Sequence, residues 1–181
     1  GCYGDGGAMF SKNEKFAHRL RMVANHGMDR RYYHDIIGVN SRLDSMQAAV
    51  LNVKLPHLNE YNASRKKVAD QYDERLKSVS EIITPLRVAW SEHVFHQYTI
   101  RVTNGRRDEL QSFLAEKKIP SMIYYPVPMH EQAAFNKVVR RRVSLANTEK
   151  VCKEVLSLPM HPDLKDDQVD FICEQVAGFF K

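Results

Sequence analysis

The chain has 181 residues, 43% of them hydrophobic and 27% charged, which excludes a disordered or low-complexity segment and indicates one globular domain or a little more. Its net charge of +5 suits phosphate-bearing ligands and equally a solvated surface. Part of that charge is local, at Lys137, Arg140, Arg141 and Arg142, but no aromatics interleave with it, so no nucleic-acid partner is expected. Cys2, Cys152 and Cys173 are odd in number and widely spaced, which excludes a disulfide framework and a zinc ribbon and reads as reduced thiols in a cytoplasmic protein. No apolar run approaches the roughly 18 residues of a membrane span, and no signal peptide opens the chain, so no membrane partner is expected. The first residue is glycine, so the chain is expected to be processed, tag-derived at its start or a fragment.

In chain order, the glycine turn of residues 4–7 feeds a short strand expected over residues 7–10, without a GK[ST] or GxGxxG phosphate motif. Phe16, Leu20, Val23 and Ala24 share one face of a helix over residues 12–25, which His26-Gly27 ends. Residues 28–40 read as irregular, with His34 an ordinary hydrogen-bonded histidine. Asn40, Ser41 and Arg42 then stand where loop becomes helix. Asp44 with Gln47 resembles a capping box, and Ser41 is the other candidate cap. The helix begins near residue 43 and extends to Lys77, with a break or kink at Pro56. A helix N-terminus offers unpaired N–H groups to an anion, and an amide and a guanidinium beside it suit a phosphate. On spacing alone, the plainer reading, with Asn40 as a cap and Arg42 as a solvated cation, is favoured.

Beyond the long helix, residues 81–88 and 93–103 read as strands, 105–118 as a helix, 119–125 as a strand, and 129–135 as a short helix. Residues 143–156 and 165–180 read as two further helices, with LSLPMHP an extended link between them. That order gives an α/β chain whose C-terminal part is α+β, with helices packed on a small, mainly antiparallel sheet. No metal site is expected. His93 and His96 point to opposite faces of a strand, and His130-Glu131 begins an HExxH that Ala134 fails to complete.

Four stretches carry a family resemblance: GCYGDGGAMF, GVNSRLDSMQAAVLNVKLPHLNEY, IPSMIYYPVPMHEQAAF and VLSLPMHPDL. In this order they resemble the C-terminal half of the DegT/DnrJ/EryC1/StrS sugar aminotransferases. The resemblance implies the fold of the type I pyridoxal phosphate (PLP) aminotransferases. Residues 1–56 would be a remnant of the large PLP-binding domain with the start of the linking helix, and residues 57–181 the small C-terminal α+β domain. It implies a cytoplasmic enzyme that moves an amino group from an amino acid, expected to be glutamate, to a keto nucleotide sugar for polysaccharide or deoxysugar biosynthesis. The PLP lysine, with the carboxylate and the stacking ring, would lie upstream, the lysine about three residues before Gly1. No catalytic residue is therefore assigned here, no covalent cofactor is expected, and the chain alone is expected to be inactive.

What the resemblance leaves to this half is contacts. Asn40 matches the asparagine that reaches the PLP phosphate across a homodimer interface. Arg42 matches the arginine that meets the neighbouring subunit's nucleotide sugar. Tyr124 and Tyr125 match positions facing the nucleotide part of the substrate, although some relatives have histidine at the first. His130 matches a histidine near the same site. Without the resemblance, the two tyrosines read equally as strand core and His130 as a structural histidine. The competing reading of the whole chain is a free-standing α+β binding or dimerisation module without catalysis.

Overall fold

The computed structural model describes residues 1–135 and 144–181. The expected basic cluster at Lys137 and Arg140–Arg142, and the first residue of the helix expected from 143, lie outside the described residues. The chain divides into two units, residues 1–58 and 59–181.

In the first unit, helix α1 spans Glu14–Ala24, with the Asn13 side chain accepting from the Phe16 N–H at its N-terminus. It ends as expected. His26 and Gly27 take left-handed φ values of 61° and 78°, and Gly27 N–H donates to Met22 O at 2.7 Å. Residues 28–40 are not uniformly irregular: β1 (Met28–Arg30) and β2 (Tyr33–His34) form a short antiparallel hairpin. Tyr32, at the turn, has φ 71°, a position that propensity alone does not assign to a tyrosine. Residues 7–10 form no strand, because among the described residues none pairs with them. Helix α2 spans Ser45–Lys54, and Asp44, not Ser41, caps it by accepting from Met46 N–H at 2.8 Å. Gln47 does not complete the capping box; its carboxamide exchanges two hydrogen bonds with the Tyr3 backbone. Pro56 sits in a 3₁₀ turn, Leu55–His57, that interrupts the helix as expected before α3 (Leu58–Leu76).

The second unit holds the hydrophobic core. Strand β4 (Tyr98–Val102) is central, with β3 (Ile82–Ile83) and β5 (Val155–Leu158) antiparallel on either side. Tyr98, Ile100 and Val102 alternate inward along β4 and share a core with Val68, Tyr72 and Leu76 of α3. Leu110 and Leu114 of α4 (Arg107–Glu116) and Val169, Ile172 and Val176 of α6 (Asp166–Phe179) complete it. Each such side chain removed from water contributes roughly 1.5–3 kcal/mol. Helix α5 (Ala146–Glu154) runs directly into β5, and the buried Arg107 guanidinium donates to Cys152 O and Val155 O at that junction. Arg101 of β4 donates twice to Glu154 at the end of α5.

Three strand expectations need correction. LSLPMHP is no mere link: its first residues lie in β5, every residue of which is buried. All four residues, Val155, Leu156, Ser157 and Leu158, are buried, so no in-out alternation of apolar and polar side chains reveals the strand. Residues 119–125 reduce to one bridge, Met122 with Ser157, because Pro120, Pro126 and Pro128 supply no N–H to a ladder. Residues 93–97 lie outside β4; Phe95 turns with φ 47° and its N–H donates to His93 Nδ1 at 2.8 Å. The strand geometry used to separate His93 from His96 therefore does not apply. Residues 129–135 form two 3₁₀ turns rather than one short helix. No helix among the described residues is long and apolar enough to cross a membrane.

Candidate functional site

In the first unit, Asn40 is held by backbone pairing to the end of α1. Val39 N–H donates to Val23 O at 2.7 Å, Ser41 N–H to Ala24 O at 2.8 Å, and His26 N–H to Val39 O at 2.9 Å, while Asn25 and Asn40 form an antiparallel bridge. This approach needs glycine on both sides. A Cβ at Gly38 would stand 2.1 Å from Gly27 N, and one at Gly27 1.7 Å from Ile36 O. Asn40 Oδ1 accepts from Arg42 Nε at 3.1 Å. The Asn40 carboxamide nitrogen and the rest of the Arg42 guanidinium stay exposed, and among the described residues no carboxylate pairs with Arg42. The result is a small cationic donor set suited to an oxyanion. It sits in the loop before α2 and not on the helix N-terminus that the sequence suggested, since the Asp44 carboxylate occupies that end.

In the second unit, Tyr124 lines a cavity of about 320 Å³ with His96, Gln97, Ser157, Met160 and His161. Antiparallel register assembles it. Tyr98 pairs with Leu158, so the residues before β4 and those after β5 leave the same end of the sheet, and Met122 pairs alongside at Ser157. The sequence sets His96 only against His93 and does not single out His161, because their proximity depends on a strand that reads as a link. Tyr125 is 72% exposed and does not line this cavity; its ring meets Tyr124 edge-on at 5.9 Å. A larger depression of about 660 Å³ beside α4, at Gln111, Lys118 and Pro120, holds none of the expected site residues.

His130 lies in the 3₁₀ turn Met129–Glu131, with Nε2 3.2 Å from Glu149 Oε1. The same oxygen accepts from Leu145 N–H at 3.0 Å. That backbone bond first, and the His130 bond second, hold the Glu149 carboxyl below its usual range. His130, Glu131 and Glu149 each place one ligand atom within 4.8 Å of the others, a spacing within reach of one cation. In the second unit, imidazole, phenol, hydroxyl and amide groups make these surfaces suitable for a polyhydroxylated ligand; in the first, the Asn40–Arg42 pair by itself suits a phosphate.

The DegT/DnrJ/EryC1/StrS aminotransferase family model matches residues 2–177. A Geobacillus stearothermophilus protein named pleiotropic regulatory protein is 44% identical over 100% of this chain and 49% of its own. A Pseudomonas aeruginosa UDP-2-acetamido-2-deoxy-3-oxo-D-glucuronate aminotransferase is 43% identical, over 98% of this chain and 48% of its own. Among solved structures, S. venezuelae DesV matches with a TM-score of 0.94 at 38% identity, over 100% of this chain and 48% of that one. NtdA from Bacillus subtilis, with the cofactor PMP bound, matches with a TM-score of 0.84 at 25% identity, over 94% of this chain and 40% of that one. The chain spans about half the length of the curated relatives it matches. It belongs to the DegT/DnrJ/EryC1/StrS aminotransferase family.

Proposed function

We propose that these residues are the C-terminal part of a PLP-dependent aminotransferase that transfers an amino group from glutamate to a keto nucleotide sugar. The observation that carries this reading is the family match over residues 2–177, with a nucleotide-sugar aminotransferase at 43% identity across nearly the whole chain. Residues 1–56 belong to the large domain and residues 57–181 form the small one. The lysine that carries PLP, and the ring that stacks on it, belong to the half of the protein that precedes these residues, and the 181-residue chain alone is inactive.

The donors present fit the phosphate of PLP. Among the described residues the Asn40 carboxamide nitrogen has no internal partner, and Arg42 fixes the other end of that amide. When bound, PLP supplies the electron sink that lets an amino group move between carbon skeletons. Asn40 donates to its phosphate, and Arg42 meets the substrate of a neighbouring subunit, which makes the intact enzyme a homodimer with shared sites. Tyr124, Tyr125 and His130 bind and orient the nucleotide sugar. Three free cysteines support a cytoplasmic location. The product would enter polysaccharide or deoxysugar biosynthesis.

The test uses the full-length protein with PLP. Its visible absorbance should change on adding glutamate and recover on adding the keto nucleotide sugar named for the Pseudomonas relative, UDP-2-acetamido-2-deoxy-3-oxo-D-glucuronate, or a dTDP-keto sugar. Asn40→Ala should weaken PLP retention, and Arg42→Ala should raise KM for the sugar in a dimeric protein. A folded full-length protein that takes up no PLP would overturn the reading.

A further inference from the structure

We propose that Glu149 is a positioning residue that fixes the tautomer of His130, so that its other ring nitrogen, Nδ1, accepts a hydrogen bond from a hydroxyl or imide N–H of the nucleotide sugar. The proposal rests on the reading of His130 as a substrate-facing group. Its structural basis lies in two elements far apart in sequence. His130 stands in the 3₁₀ turn at Met129–Glu131, and Glu149 in the early part of α5. Nε2 and Oε1 meet at 3.2 Å, and Leu145 N–H donates to the same oxygen at 3.0 Å.

An ionised carboxylate only accepts, so the nitrogen facing it must carry the proton. A neutral imidazole with hydrogen on Nε2 presents a bare lone pair at Nδ1. The Leu145 N–H supports the arrangement by favouring the ionised form of Glu149 and by fixing its direction. Glu131 is the adjacent acid on the histidine's own turn, yet the bond is made to Glu149. With the rings of Tyr124 and Tyr125 nearby in sequence, an acceptor at His130 selects for ligand groups that donate: sugar hydroxyls, or the ring N–H of a uracil or thymine base.

The experiment is isothermal titration of the full-length, PLP-loaded protein with UDP-N-acetylglucosamine and with dTDP-glucose, using Glu149→Ala, Glu149→Gln, His130→Ala and the His130→Ala/Glu149→Ala double variant. Loss of one oriented hydrogen bond weakens binding about three- to tenfold. Glu149→Ala should show that loss for whichever probe binds. Glu149→Gln, whose amide can either accept or donate, should show a smaller one. Glu149→Ala should cost nothing further in the His130→Ala background, and PLP retention should be unchanged throughout.

An equal additional loss in that background would make Glu149 a structural brace and overturn the proposal. So would a Glu149→Ala variant that binds like wild type while His130→Ala does not, which leaves the reading of His130 standing. A His130→Ala variant without effect, or no binding of either probe by wild type, would sink that reading and the proposal with it. Weakening of wild-type binding by EDTA, restored by zinc, would mean that a cation rather than a hydrogen bond joins the two residues.

Discussion

A single methyl group at Gly38 should release Asn40 from its anchorage. The added Cβ would lie 2.1 Å from Gly27 N, 2.7 Å from the His26 carbonyl carbon and 2.7 Å from Val23 O. All three are backbone atoms, so no side chain can swing aside. Ordinary contact begins near 3.4 Å, so one strand of backbone must move by 3.4 − 2.1 = 1.3 Å. That displacement would break the bonds Val39 N–H to Val23 O, Ser41 N–H to Ala24 O and His26 N–H to Val39 O. At about 1 kcal/mol net for each, the local cost is about 3 kcal/mol. Amide hydrogen exchange on the full-length protein reads it directly: the Val39 and Ser41 amides of Gly38→Ala should exchange roughly 100-fold faster than wild type. PLP retention should fall in parallel if Asn40 holds the phosphate. Gly105→Ala is the control, with φ +80° but nothing within 4 Å of the new Cβ, so it costs only the left-handed backbone penalty of about 1–2 kcal/mol. Unchanged exchange at Val39 and Ser41 in Gly38→Ala would refute the claim that close glycine packing fixes this loop.

Leu156 is fully buried on β5 opposite Ile100, so Leu156→Ala should lower stability by about 2–5 kcal/mol in denaturant titration; a loss below about 1 kcal/mol would mean the sheet core collapses around the gap. Asp166 accepts from Gln71 and Lys67 of α3, and these bonds, Gln71 first, hold its carboxyl below the ordinary 3.8. Because the folded value is the lower one, its contribution is present above 3.8 and disappears as pH falls through the folded value. Asp166→Asn should therefore flatten the acid side of the stability profile, and identical acid slopes for variant and wild type would count against it. Burial pushes the Cys173 thiol up to about 12, so N-ethylmaleimide at neutral pH should spare it in the folded protein and label it after unfolding; native-state labelling there would contradict the buried assignment.

Local chemistry made several features legible in the sequence. The apolar spacing of α1, the Gly27 terminus of α1 and the break at Pro56 all depend on residues within a few positions of one another. Four motifs in order were also enough to identify the family. The tertiary structure decided what depends on partners distant in the chain. Strand β5 was read as a link because pairing with β4, not alternation along its own four residues, makes it a strand. The cavity joining Tyr124 to His96 and His161 follows from that register and has no sequence signal of its own. The same holds for Glu149, nineteen residues from the histidine it meets, and for Asn40, whose place at the end of α1 is set by two glycines that must touch backbone to backbone. Periodicity and capping act over one or two helical turns, whereas strand register and close backbone approach exist only once the chain has folded back on itself.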